Sequence, residues 1–123
     1  MLIYKMPDYR NIEKDTLKNN YYRKVIYTVP GKTQLVLMSL KPGEDIPMEN
    51  HKHISQFIRV EKGNGISVVS GKTYKLKDGM SITIPPNRNH YINNTSKTED
   101  LKLYILYSPE EHPRNRKQLR QKS

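Results

Sequence analysis

Residues 43–63 read Gly43-Glu44-Asp45-Ile46-Pro47-Met48-Glu49-Asn50-His51-Lys52-His53-Ile54-Ser55-Gln56-Phe57-Ile58-Arg59-Val60-Glu61-Lys62-Gly63, and this stretch decides the fold. Residues two apart on a strand point to the same face, so Glu49 and His51 project together from one side of a sheet. A turn through residues 52–55 brings Gln56 back on the next strand. A fourth donor, His90, follows Pro85-Pro86, which must stop the strand over 81–84. Two imidazoles and a carboxylate converging from separate strands make a 2-His-1-carboxylate arrangement. That donor set suits Fe(II), with Mn, Ni or Zn as alternatives, and leaves coordination positions open. Gln56 would add a neutral oxygen donor.

Outward from this stretch the chain alternates short strand signals with turns. Strands are expected over 22–28, 33–40, 57–60, 65–69, 73–76, 81–84, 91–93 and 101–107. Pro30-Gly31, Pro42-Gly43, Ser70-Gly71 and Asp78-Gly79 supply the breaks. Asn11–Leu17 suggests one helical turn at most. Short strands at near-regular spacing, with no long helix, indicate an all-β barrel or sandwich. The expected organisation is an N-terminal arm over 1–20, a barrel over 21–108, and a mobile basic tail over 109–123 after Pro109.

The spacing of the two histidine-bearing segments resembles that of the cupin superfamily. The first cupin motif is Gly, five residues, His-x-His, three or four residues, Glu, six residues, Gly. Here Gly43 is followed by five residues, Glu49-Asn50-His51, four residues, Gln56, six residues and Gly63. Glu49 stands for the first His and Gln56 for the Glu. The second motif is Gly, five residues, Pro-x-Gly, two residues, His, three residues, Asn. It reads here as Gly79, five residues, Pro85-Pro86-Asn87, two residues, His90, three residues and Asn94. Asn87 replaces the internal Gly, and Asn is among the residues that best tolerate positive φ. The segments Gln56–Glu61, Leu103-Tyr104 and Tyr107–Pro113 also resemble small microbial cupins labelled mannose-6-phosphate isomerase-like.

The resemblance implies a double-stranded β-helix, a jelly-roll barrel of two antiparallel sheets. It implies one divalent transition metal on Glu49, His51, Gln56 and His90. It also implies homodimerisation, with residues 21–28 as an edge for the neighbour. His51-Lys52-His53 imitates the His-x-His pair, but that register places Gln56 one residue short and Gly43 two residues too far. His53 is therefore expected in the turn or at the rim, as the substitute ligand should Glu49 point away. Arg59, Tyr91 and Tyr104 are candidate substrate-pocket residues, since an inward Arg can hold an anion bidentately. Gly43, Gly63 and Gly79 are read as turn glycines, and His112 as a tail residue. The competing reading of His51 and His90 is as satisfied polar residues in a barrel without metal.

Composition narrows the classes further. The chain has 123 residues and 34% hydrophobic content, enough for one compact core. The absence of cysteine excludes disulfides, thiolate ligands and a Cys nucleophile. No apolar run reaches membrane-spanning length and the first residues carry no signal-peptide pattern, so a cytoplasmic location is expected. The net charge is +10, with five cations and two acids after residue 108. Most of the excess is read as a solvated lysine-rich surface, and binding of nucleic acid or another polyanion through the tail is a lesser expectation. Two functions remain. One is a metal-dependent enzyme on a small molecule, of oxygenase, isomerase or epimerase type. The other is a non-catalytic small-ligand sensor or binding module whose basic surface docks an acidic partner.

Overall fold

The structure is a computed structural model and describes residues 6–121. One helix, α1 (Ile12–Lys18), precedes ten strands: β1 (Arg23–Val29), β2 (Thr33–Leu40), β3 (Asp45–Glu49), β4 (Ser55–Lys62), β5 (Asn64–Val69), β6 (Lys72–Lys77), β7 (Ser81–Ile84), β8 (His90–Asn94), β9 (Leu101–Ser108) and β10 (Lys117–Gln118). They form two antiparallel sheets, ordered β10-β1-β2-β9-β4-β7 and β3-β8-β5-β6. This is the expected jelly-roll barrel. Among the described residues no helix is long and apolar enough to cross a membrane.

Strand alternation sets the core. On β4, Gln56, Ile58 and Val60 are buried while the intervening residues are not. On β9, Leu101, Leu103, Ile105 and Tyr107 point inward. Val36, Met38, Leu40, Ile84 and Ile92 complete the interior at 1% exposure or less. Full burial of each such aliphatic side chain contributes about 1.5–3 kcal/mol. The outward side chains Leu37, Ser39 and Lys102 are buried as well, on the stretch of β2 and β9 that α1 packs against.

Helix α1 runs to seven residues, twice the single turn expected. Asn11 caps it by accepting from the Lys14 N–H at 3.0 Å. Glu13 and Asp15 lie in the first turn and Lys18 in the last, each favourable to the helix dipole. At the other end, Lys102 Nζ donates to the Asn19 carbonyl at 2.5 Å.

The segment after Pro109, expected as a mobile basic tail, returns to the larger sheet. β10 pairs with β1 at Arg23 and Lys24. Tyr22 N–H donates to the Leu119 carbonyl at 3.0 Å, and Val25 N–H to the Arg116 carbonyl at 2.9 Å. Arg120 pairs with Glu44 at 3.2 Å. Gln121 Nε2 donates to Asp45 at 2.6 Å. Prolines end the preceding strand, but they do not prevent the chain from finding a new edge to pair with.

Candidate metal centre

Three strands and one turn deliver the site. Glu49 ends β3 and Gln56 lies near the start of β4, with His51 in the connection between them. His90 opens β8 and is the antiparallel partner of Glu49. The two segments are tied by main chain, because Asn87 N–H donates to the His51 carbonyl at 2.7 Å. Asn87 adopts φ 62°, the left-handed conformation expected from its place in the second motif.

Glu49, His51 and His90 each offer a ligand atom, and these atoms lie within 4.8 Å of one another. Glu49 Oε1 is 3.1 Å from His51 Nε2 and 3.4 Å from His90 Nε2. His51 Nε2 is buried and makes no aligned hydrogen bond, despite that short approach. Close contact without alignment is what lone pairs aimed at a shared point produce. Gln56 is 2% exposed, and its amide nitrogen lies 2.7 Å from His90 Nε2.

The far nitrogen of each imidazole lies beside an oxygen. His90 Nδ1 lies 2.8 Å from the Arg88 carbonyl, and a carbonyl can only accept, so Nδ1 carries the hydrogen. His51 Nδ1 lies 2.9 Å from Glu111 Oε2. Both contacts leave the Nε2 lone pairs turned toward Glu49. This is the outer-sphere arrangement that orients metal-binding histidines.

Electrostatics bind the cluster together. Burial would raise the Glu49 carboxyl, but the adjacent His90 and His51 imidazoles outweigh it, and the group is held below its ordinary value. Burial would lower His90, but Glu49 and the Arg88 carbonyl prevail and raise it. Glu111 is raised by burial and by the nearby Glu49 charge, against the opposing pull of His51. Burial pushes the Tyr107 phenol well up, so it stays protonated, and its hydroxyl lies 3.3 Å from His112 Nε2.

The other candidates fall elsewhere. His53 is exposed in the turn after His51. Arg59 and Tyr104 are cross-strand neighbours on the outer face of their sheet, where Arg59 pairs with Glu61 at 3.3 Å. Tyr91 occupies an outward position next to inward His90. None of the three can line the barrel interior, because each sits at odd spacing from an inward residue of its own strand. Glu111, which the sequence reading missed, stands beside His51. Its only sequence signal is the acidic pair Glu110-Glu111 set between two prolines directly after β9. His112 also leaves the tail role it was given. Its ring centroid is 5.3 Å from that of Tyr107, which in turn packs edge-on to His51 at 6.5 Å.

Fold and site together define a small double-stranded β-helix protein with a candidate His/Glu metal centre inside its barrel. Residues 36–107 match the family described as cupin domain, and the chain belongs to that family. It is 51% identical over 107 residues to an uncharacterized protein of Acanthamoeba polyphaga mimivirus, covering 84% of this chain and 66% of that protein. It is 40% identical over 111 residues to the uncharacterized protein YrkC of Bacillus subtilis, covering 84% of this chain and 58% of that protein. The chain thus spans less than two thirds of the length of these curated relatives. A crystal structure from Bacillus halodurans is similar at a TM-score of 0.89 and 34% identity, over 94% of this chain and 90% of that one.

Proposed function

We propose that this chain is a metal-dependent cupin enzyme that holds one divalent transition metal, Fe, Mn, Ni or Zn, through Glu49, His51 and His90, with Gln56 as a fourth donor. The observation that carries the reading is the buried Nε2 of His51. It has no aligned hydrogen bond, and it lies 3.1 Å from a carboxylate oxygen. A barrel built only to satisfy its histidines would have no reason to leave that nitrogen unaligned.

The residues divide the work. Glu49 supplies the negative charge, and its side chain is 31% exposed, so the cluster is reachable from solvent on that side. His90 and Gln56 form the sunken floor. Tyr107 packs against His51 and excludes water behind it. When bound, the ion supplies Lewis acidity, and redox chemistry if it is iron. The substrate class that fits is a small polar molecule, in a reaction of oxygenase, isomerase or epimerase type.

Elemental analysis of purified protein loaded with each metal tests this. Wild type is expected to hold close to one equivalent, and His51→Ala or His90→Ala to hold none. Wild type and variants alike without metal would remove the proposal. Oxygen consumption or turnover with candidate substrates supports the enzyme. A ligand-dependent thermal shift without turnover would support the sensing module instead.

A further inference from the structure

We propose that Glu111 is a positioning residue for the metal ligand His51, so that the segment after β9 is part of the metal centre. This rests on the metal-binding reading above and adds to it a carboxylate outside the ligand set, held by its own scaffold.

His51 lies in the connection between two strands, where no ladder hydrogen bonds fix its ring. The carboxylate of Glu111 stands 2.9 Å from its Nδ1. From that position a carboxylate can take the Nδ1 hydrogen, which keeps the lone pair on Nε2 and makes the ring a better donor. The Arg88 carbonyl stands in the corresponding place for His90 at 2.8 Å, so each imidazole has an oxygen beside its Nδ1. His90 takes its acceptor from the loop that carries it, whereas His51 takes one from sixty residues further along the chain.

That distant residue is not placed by chance packing. Gln34 on β2 is fully buried and grips the backbone of residues 111 and 112. Its Oε1 accepts from Glu111 N–H at 3.2 Å and from His112 N–H at 3.0 Å. Its Nε2 donates to the His112 carbonyl at 2.7 Å and to Thr28 Oγ1 at 3.1 Å. A buried amide that binds both the N–H and the carbonyl of His112, and the N–H of Glu111, fixes the backbone from which Glu111 reaches His51. The neighbouring Glu110 turns the other way and accepts from Gly31 N–H at 2.7 Å. Of two adjacent glutamates, one serves the loop outside and one serves the histidine.

The test is chelator-competition titration of wild type, Glu111→Gln, Glu111→Ala and Glu110→Gln with Zn(II) and with Mn(II) alone. Glu111→Gln is expected to weaken affinity about ten-fold, and Glu111→Ala up to about a hundred-fold. Stoichiometry should stay at one, and Glu110→Gln should match wild type although it removes the same charge. Circular dichroism of the metal-free variants controls for folding, and the isosteric Glu111→Gln guards against loss of fold in the alanine variant. Unchanged affinity in both Glu111 variants overturns the inference, as does an equal loss in Glu110→Gln. Loss of the metal itself, as expected for His51→Ala, would make Glu111 a ligand and also overturn it. Wild type that binds neither ion would instead overturn the metal-binding reading.

Discussion

Gln56 and His90 meet inside the barrel nitrogen to nitrogen, with 2.7 Å between the amide Nε2 and the imidazole Nε2. With the Nδ1 hydrogen of His90 committed to Arg88, the amide must donate to the lone pair that a cation would take. Gln56 therefore competes with metal in one amide orientation and serves it in the other, where Oε1 faces the cluster. A carboxylate has no donating orientation and adds a negative charge. Gln56→Glu is expected to bind divalent metal on the order of ten-fold more tightly than wild type. Chelator competition at neutral pH measures it, and weaker binding would show that the amide does not face the ion.

His53 is the control for motif reading. It is exposed in the turn and lies outside the cluster of Glu49, His51 and His90. His53→Ala is expected to keep full metal content and a melting temperature within a degree or two of wild type. Depletion of metal in this variant would move the pair to His51 and His53.

The His112 imidazole is held down from 6.5 to about 4, by burial first and by Arg23 and Arg116 next. Its folded value lies below its unfolded one, so folding favours the neutral ring. That contribution is complete above about pH 6.5 and is lost as pH falls toward 4. His90 acts oppositely, since a raised value stabilises below its unfolded value and fades as pH rises through the folded one. Urea midpoints of metal-free wild type and His112→Gln should therefore converge between pH 7.5 and 5, because only wild type carries the His112 penalty. Parallel pH profiles would mean that the ring is not buried neutral.

Gly65 should not accept a side chain. A Cβ built there falls 2.6 Å from the Asn93 carbonyl oxygen and 2.9 Å from a Leu101 methyl. Gly65 and Asn94 are cross-strand partners between β5 and β8, so the strand below His90 would have to shift. Gly65→Ala is expected to cost about 1–3 kcal/mol in chemical denaturation and to weaken metal binding. A stability equal to wild type would show that β8 can yield.

The barrel was legible because motif spacing and strand periodicity agree. Gly43, Gly79 and Asn87 lie at positive φ as their motif places require. Gly63 differs from the turn reading, for although its φ is 120°, a Cβ there would meet the Asp100 carbonyl at 2.7 Å. Its smallness serves a close approach of chains as well as a bend. For Arg59, Tyr91 and Tyr104, strand periodicity already sets which way the side chain faces. With Gln56 inward, Arg59 three residues on must face out, and with His90 inward so must Tyr91. Glu111 was not legible, because its contact depends on where Gln34 grips a segment that periodicity leaves unassigned.

The docking of residues 116–119 along β1 reaches beyond the candidate metal centre. A sheet's outermost strand offers its unsatisfied amides and carbonyls to any passing chain, and neighbouring molecules can stack on it rung by rung. Here β10 occupies the rungs at Arg23 and Lys24, and lysine and arginine side chains line the strip that covers them. Trimming the C-terminal residues should therefore leave a protein more prone to aggregate during refolding, even where the barrel interior is untouched.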